Sequence, residues 1–106
     1  MTPEEFVKRW GLSSFEIAKS QRAFRRYKYT IIYSDEIDFA NEFNEKHRDY
    51  MFESKDIDRI VLSHSLIERL GGIQTATKVA LKQHELGHII NEGLILSSIR
   101  DVEACQ

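Results

Sequence analysis

The sequence predicts an α+β fold, and three observations carry that expectation. Two short runs, residues 29–33 and 59–63, are rich in aromatic and β-branched residues and read as strands. Residues 73–92 form a long Pro-free stretch with helical periodicity, bracketed by Gly72 and Gly93 as breakers. At 106 residues the chain is expected to be one domain with a modest single core. Together these describe a short mixed sheet packed on one long helix.

The elements follow in order. Thr2 or Pro3 opens a first helix to about Trp10, with Pro early and Glu4 and Glu5 in the first turn. Gly11 ends it. Ser13 or Ser14 caps a second helix through about Tyr27, with Ile17, Phe24 and Tyr27 at helical spacing. A strand over 29–33 comes next. Ser34-Asp35-Glu36 then starts a helix to about Lys46 that buries Ile37, Phe39, Ala40 and Phe43. Residues 50–53 and 59–63 give two further strands. A small helix opens at Ser63 or Ser65 and stops at Gly71-Gly72. The long helix 73–92 follows, and a short last helix begins near Ser98.

The long helix carries His84-Glu85-Leu86-Gly87-His88. On a continuous helix, two His four apart share a face. Both imidazoles can then reach one metal ion, and the intervening Glu can reach a water on it. At 100° per residue Ala76, Val79, Ala80, Gly87 and Ile90 cluster on one side, with Lys78 and Lys82 opposite. His84 and His88 fall at the edge of the apolar side. Gly87, lacking a side chain, would let another backbone approach there. A catalytic zinc has three protein ligands and one open position. If the last helix folds back as a hairpin, Glu103 can return to the metal, and Asp101 competes with it. The plainer alternatives are two surface His on an amphipathic helix and a solvated acidic pair at the end of the chain.

Three stretches lead into this motif: Ile60-Val61-Leu62-Ser63, then Leu66-Ile67-Glu68-Arg69-Leu70, then Val79-Ala80-Leu81. With the pentapeptide they resemble the zincin metallopeptidases whose third ligand is Glu. The chain is most similar to the ImmA/IrrE-type intracellular peptidases and more weakly to the HtpX-like proteases. Those families supply the third ligand from a later Glu-Ala-Asp segment, and Val102-Glu103-Ala104-Cys105 matches its Glu-Ala. The resemblance implies a small zincin-like α+β domain and a zinc-dependent peptidase. His84, His88 and Glu103 would hold Zn2+, whose bound water has its pKa lowered to about 7. Glu85 would be the general base for that water. Tyr33, Tyr50 and His64 are possible oxyanion donors that no spacing separates. The implied partner is a protein or peptide substrate, with a regulatory protein among the candidates. The alternative is a catalytically inactive zincin-like binding or regulatory protein, because a fold does not guarantee an activity.

Composition bounds the remaining classes. Apolar residues make up 42 % and charged residues 30 %, the balance of a globular protein. The single Cys105 has no internal disulfide partner, which fits a reducing compartment. No apolar run has membrane-spanning length, and the acidic start Met1-Thr2-Pro3-Glu4-Glu5 lacks signal-peptide form. A cytoplasmic setting is expected. Charge is uneven: residues 1–28 carry a net +4 and residues 29–58 a net −6. Lys19, Arg22, Arg25, Arg26 and Lys28 on the second helix raise nucleic-acid binding as a weaker option. The acidic total of −2 and the want of a following recognition helix favour a solvated face instead.

Overall fold

A computed structural model describes residues 1–34 and 36–106. The fold is α+β, as expected, but several elements differ from the sequence reading. Contacts divide the chain into two compact units, Met1–Val61 and Leu62–Gln106.

In the first unit, α1 (Pro3–Trp10) starts where its caps predict. Thr2 Oγ1 accepts the Glu5 N–H at 3.1 Å, and Pro3 stands in the first turn. Gly11, at φ 85°, ends it. Helix α2 (Ser13–Ser20) is shorter than predicted. Ser20 Oγ donates to the Ile17 carbonyl at 2.6 Å, and Gln21 turns to extended backbone. Residues Arg22–Arg26 form only a 3-10 turn, seated by buried Phe24. The basic residues therefore do not line one helix: Lys19 alone of the five lies on α2, where it pairs with Asp58 at 3.1 Å.

Strands β1 (Tyr29–Ile32), β2 (Ile37–Ala40) and β3 (Met51–Glu53) form one sheet in the order β2-β1-β3. Both pairings are antiparallel, with Tyr29 opposite Ala40 on one side and Glu53 on the other. The predicted mixed sheet is therefore corrected to an antiparallel one. The predicted helix over 34–46 is corrected too; Asp35, at its start, lies outside the described residues. Ile37 and Phe39 sit two apart with exposed Asp38 between them, and that alternation pairs with β1 in preference to a helical stripe. Phe6, Phe15 and Phe52 form the aromatic centre of this unit, with Phe6 and Phe15 stacked at 5.0 Å.

Helix α3 (Ser54–Arg69) replaces the predicted strand over 59–63 and absorbs the small helix after it. The Ile60-Val61-Leu62 run looked strand-like, but Ile57, Ile60 and Ile67 are buried at helical spacing. Its first residue is tied to β1 and to the residue just before that strand. Ser54 N–H donates to the Lys28 carbonyl at 2.8 Å, and the buried hydroxyls of Ser54 and Thr30 meet at 2.8 Å. The boundary between the two units falls within α3.

The second unit continues with α4 (Ile73–Glu85) and α5 (Ile89–Ala104). The predicted helix 73–92 is thus two helices, and Gly93 lies inside the second one. Ala76 and Ala80 of α4 pack with Ile95, Ile99 and Val102 of α5 and with Ile67. The two alanines let the helix backbones approach closely, and the Ile and Val side chains fill the seam. Ser63 Oγ donates to Asp101 Oδ2 at 2.7 Å, which joins α3 to α5. Among the described residues, no helix is long and apolar enough to cross a membrane.

Candidate functional site

The pentapeptide 84–88 sits at the corner between α4 and α5. Its geometry is that of a helix stop. The His88 N–H reaches the Gln83 carbonyl at 2.9 Å, and the Gly87 N–H reaches the His84 carbonyl at 3.0 Å. These are the paired bonds of a Schellman ending. Gly87 has φ 76°, the left-handed conformation that such an ending asks of its glycine. An added Cβ at Gly87 would meet nothing within 4 Å, so the glycine is there for its backbone angle and not for a close approach. Gly71 repeats the device at the end of α3, where Gly72 N–H bonds to the Ile67 carbonyl and Gly71 N–H to the Glu68 carbonyl.

The break separates the roles of the two His. His84 lies in the last turn of α4, and its Nδ1 is 2.8 Å from Glu92 Oε2 in the first turn of α5. His88 is the residue preceding α5, and its ring caps nothing. Instead Gln83 Oε1 accepts from His88 Nδ1 at 2.9 Å and from Asn91 Nδ2 at 3.3 Å. Glu85 is exposed at the C-terminal end of α4, the end at which a helix dipole disfavours negative charge. The continuous helical face on which a shared metal was predicated is absent.

Glu103 is not brought to the pair. It stands near the C-terminal end of α5, while His88 precedes the first residue of the same helix. At 1.5 Å per residue the two backbones are about 22 Å apart. The expected hairpin between them does not form, because the last helix begins at Ile89 and not near Ser98. Asp101, the competing ligand, is held by Ser63. Among the described residues, no three His, Cys, Asp or Glu side chains gather to hold a metal ion. The residues present therefore do not fit a zinc centre of His84, His88 and Glu103. Of the proposed oxyanion donors, Tyr33 and Tyr50 belong to the first unit, where their rings pack with each other and with His47. His64 lies half-buried on α3.

The sequence reading passed over what surrounds this corner. Leu86, Ile89, Ile90 and Leu94 are all exposed, Ile89 by 74 % and Ile90 by 87 %. Their signal was present in the first half of α5, where Ile89, Ile90, Leu94, Ile95 and Leu96 point in several directions and give more apolar surface than one seam can cover. No family model, no curated protein and no solved structure matches the chain.

Proposed function

We propose that the protein is a non-catalytic binding protein that pairs with a second copy of itself through the α4–α5 corner. On this reading His84-Glu85-Leu86-Gly87-His88 shapes the corner and holds no metal. The observation that carries it is the exposed apolar group of Leu86, Ile89, Ile90 and Leu94. Large apolar side chains exposed close together at one corner are a mark of an interaction site. Lys82 and Glu85, exposed charges of both signs, stand close to the group in the sequence, and Glu92 is paired with His84. Charges of both signs beside an apolar group allow like surfaces to pair across a two-fold axis. Sedimentation equilibrium tests the reading. The wild type is expected to be dimeric and the Ile89→Ser/Ile90→Ser variant monomeric, with an unchanged circular dichroism spectrum because both side chains are already outside the core. A wild type that stays monomeric at concentrations on the order of 100 µM would overturn it.

A second reading, the zinc peptidase on a zincin-like scaffold, is favoured by the pentapeptide itself and by the carboxylate already 2.8 Å from His84. It requires residues 86–88 to rewind into helix and Glu103 to cross most of the length of α5. Zinc uptake at neutral pH that is lost in both His84→Ala and His88→Ala, with hydrolysis lost in Glu85→Gln, would support it. A chain that takes up no zinc would end it.

A further inference from the structure

The first unit holds a pocket of about 520 Å³ that the pentapeptide does not touch. Its wall is built by Phe6 and Trp10 of α1, by Tyr33 just after β1, and by Asp49 and Tyr50 just before β3. Helical spacing puts Phe6 and Trp10 on one face of α1, their rings 5.2 Å apart. The strand brings Tyr33 beside Tyr50, with ring centroids at 5.7 Å, and His47 braces both phenols from behind at 3.5 Å. The volume suits a small organic molecule.

The chemistry of the wall selects the sign of the ligand. Among the described residues Asp49 supplies the one carboxylate lining the pocket, and Met1, which carries the ammonium, lines it as well. The aromatic rings present electron-rich faces, which attract cations and repel anions. The segment that supplies Tyr33, Asp49 and Tyr50 is the acidic stretch with net −6. The Tyr33 phenol is held above its ordinary value, first by desolvation and then by Asp38, Tyr50 and Glu36, so its surroundings disfavour further negative charge. Two of the chain's own cations already take up these groups, and a ligand cation would displace the first of them from Asp49. The Met1 ammonium is 3.9 Å from Asp49 Oδ1, and the Arg9 guanidinium lies 5.8 Å from the centre of the Trp10 ring. Trp10 remains 60 % exposed.

We propose that this pocket binds a small organic cation of the methylated-ammonium class, with Trp10, Tyr33 and Tyr50 facing the methyl groups and Asp49 pairing with the charge from the rim. A bare metal ion is a poor occupant, because one carboxylate among aromatic rings offers too few oxygen ligands. A methylated ammonium is weakly hydrated and exchanges its water for aromatic faces at little cost.

Trp10 is the single Trp of the chain, so its fluorescence reports this pocket alone. The experiment is a titration with choline at constant ionic strength, beside the neutral isostere of choline in which carbon replaces the nitrogen. Choline is expected to give a saturable change, and the isostere to bind about five- to thirtyfold more weakly, the worth of a cation on aromatic faces. Asp49→Asn, at a side chain 79 % exposed, is expected to weaken choline about two- to fivefold and leave the isostere unchanged. Trp10→Leu, followed by saturation transfer to the choline methyl protons, is expected to lose most of the binding; Trp10 is exposed enough for the fold to survive. Equal affinity for choline and its isostere would overturn the proposal. So would the absence of a saturable response at concentrations on the order of 100 mM, or full binding by Trp10→Leu.

Discussion

Gly87→Ala separates the two ways of reading residues 84–88 by the sign of its effect. Gly87 has φ 76°, and its added methyl would meet no atom within 4 Å. The whole effect is therefore conformational. Holding an L-residue in the left-handed region costs about 1–2 kcal/mol. Loss of glycine's freedom in the unfolded chain returns about 0.4–1 kcal/mol. The net is a destabilisation of about 1 kcal/mol, which lowers Tm by roughly 4–8 °C in a domain near this size. Gly93 supplies the internal control. It lies within α5, has no positive φ, and its added methyl also meets nothing. Gly93→Ala should stabilise by about 0.5–1 kcal/mol, as a helix-interior replacement does. Urea denaturation of both variants, followed by circular dichroism, measures the pair. On one continuous helix over 73–92, Gly87 would itself be an interior glycine, and its replacement by Ala would be stabilising. A stabilised Gly87→Ala variant with raised helicity would refute the helix stop and revive the shared face for His84 and His88.

Two further predictions concern the first unit. Glu4 is subject to burial, which raises its pKa, but the hydrogen bond from Arg59 at 2.9 Å, a backbone hydrogen bond, the Arg59 charge and Thr2 together outweigh it, leaving the carboxyl below its ordinary value. A carboxylate depressed in the folded state stabilises above its unfolded pKa, and that stability is lost as pH falls through the folded value. Glu4→Gln should therefore cost about 0.5 kcal/mol at pH 7, discounted for the partial exposure of the pair, and the deficit should vanish in acid; chemical denaturation at a series of pH values reads it, and a deficit that persists in acid would contradict the assignment. Phe15→Ala removes a ring that is 0 % exposed and stacked on Phe6. It should cost about 3–5 kcal/mol in a urea melt, and a loss under 1 kcal/mol would mean that the aromatic centre is not where this unit gets its cohesion.

What could be read in the sequence depended on whether the signal was local. The start of α1 was legible because Thr2, Pro3 and Gly11 act within one or two turns. The strands β1 and β3 were legible from aromatic and β-branched content. Ile37–Ala40 was not, since its apolar residues fit either period and only pairing with β1 decides between them. The Ile60-Val61 dipeptide misled in the other direction. β-branched residues weigh little against a helix whose Ile57, Ile60 and Ile67 are all buried. At the candidate site, residue identities were legible but their frame was not. The motif reads as metal-binding only on unbroken helix, and Gly87 fits equally well as an interior residue or as a stop. Nor does composition alone place Glu103 at the far end of the helix that His88 precedes.

The tight corner at Leu86–His88 also bears on how the chain acquires its structure. Helices α4 and α5 meet through a connection of three residues, so their contacts close with little loss of loop entropy. The sheet must bring Tyr29 to Glu53 before its second ladder exists, which is a slower kind of search. In refolding from denaturant, the helical hairpin is therefore the faster element. During synthesis the order is reversed: the ribosome releases β1, β2 and β3 before any of α4, and translation at roughly 5–20 residues per second gives the slower element its head start. Refolding in vitro and folding during translation should thus begin at opposite ends of this chain.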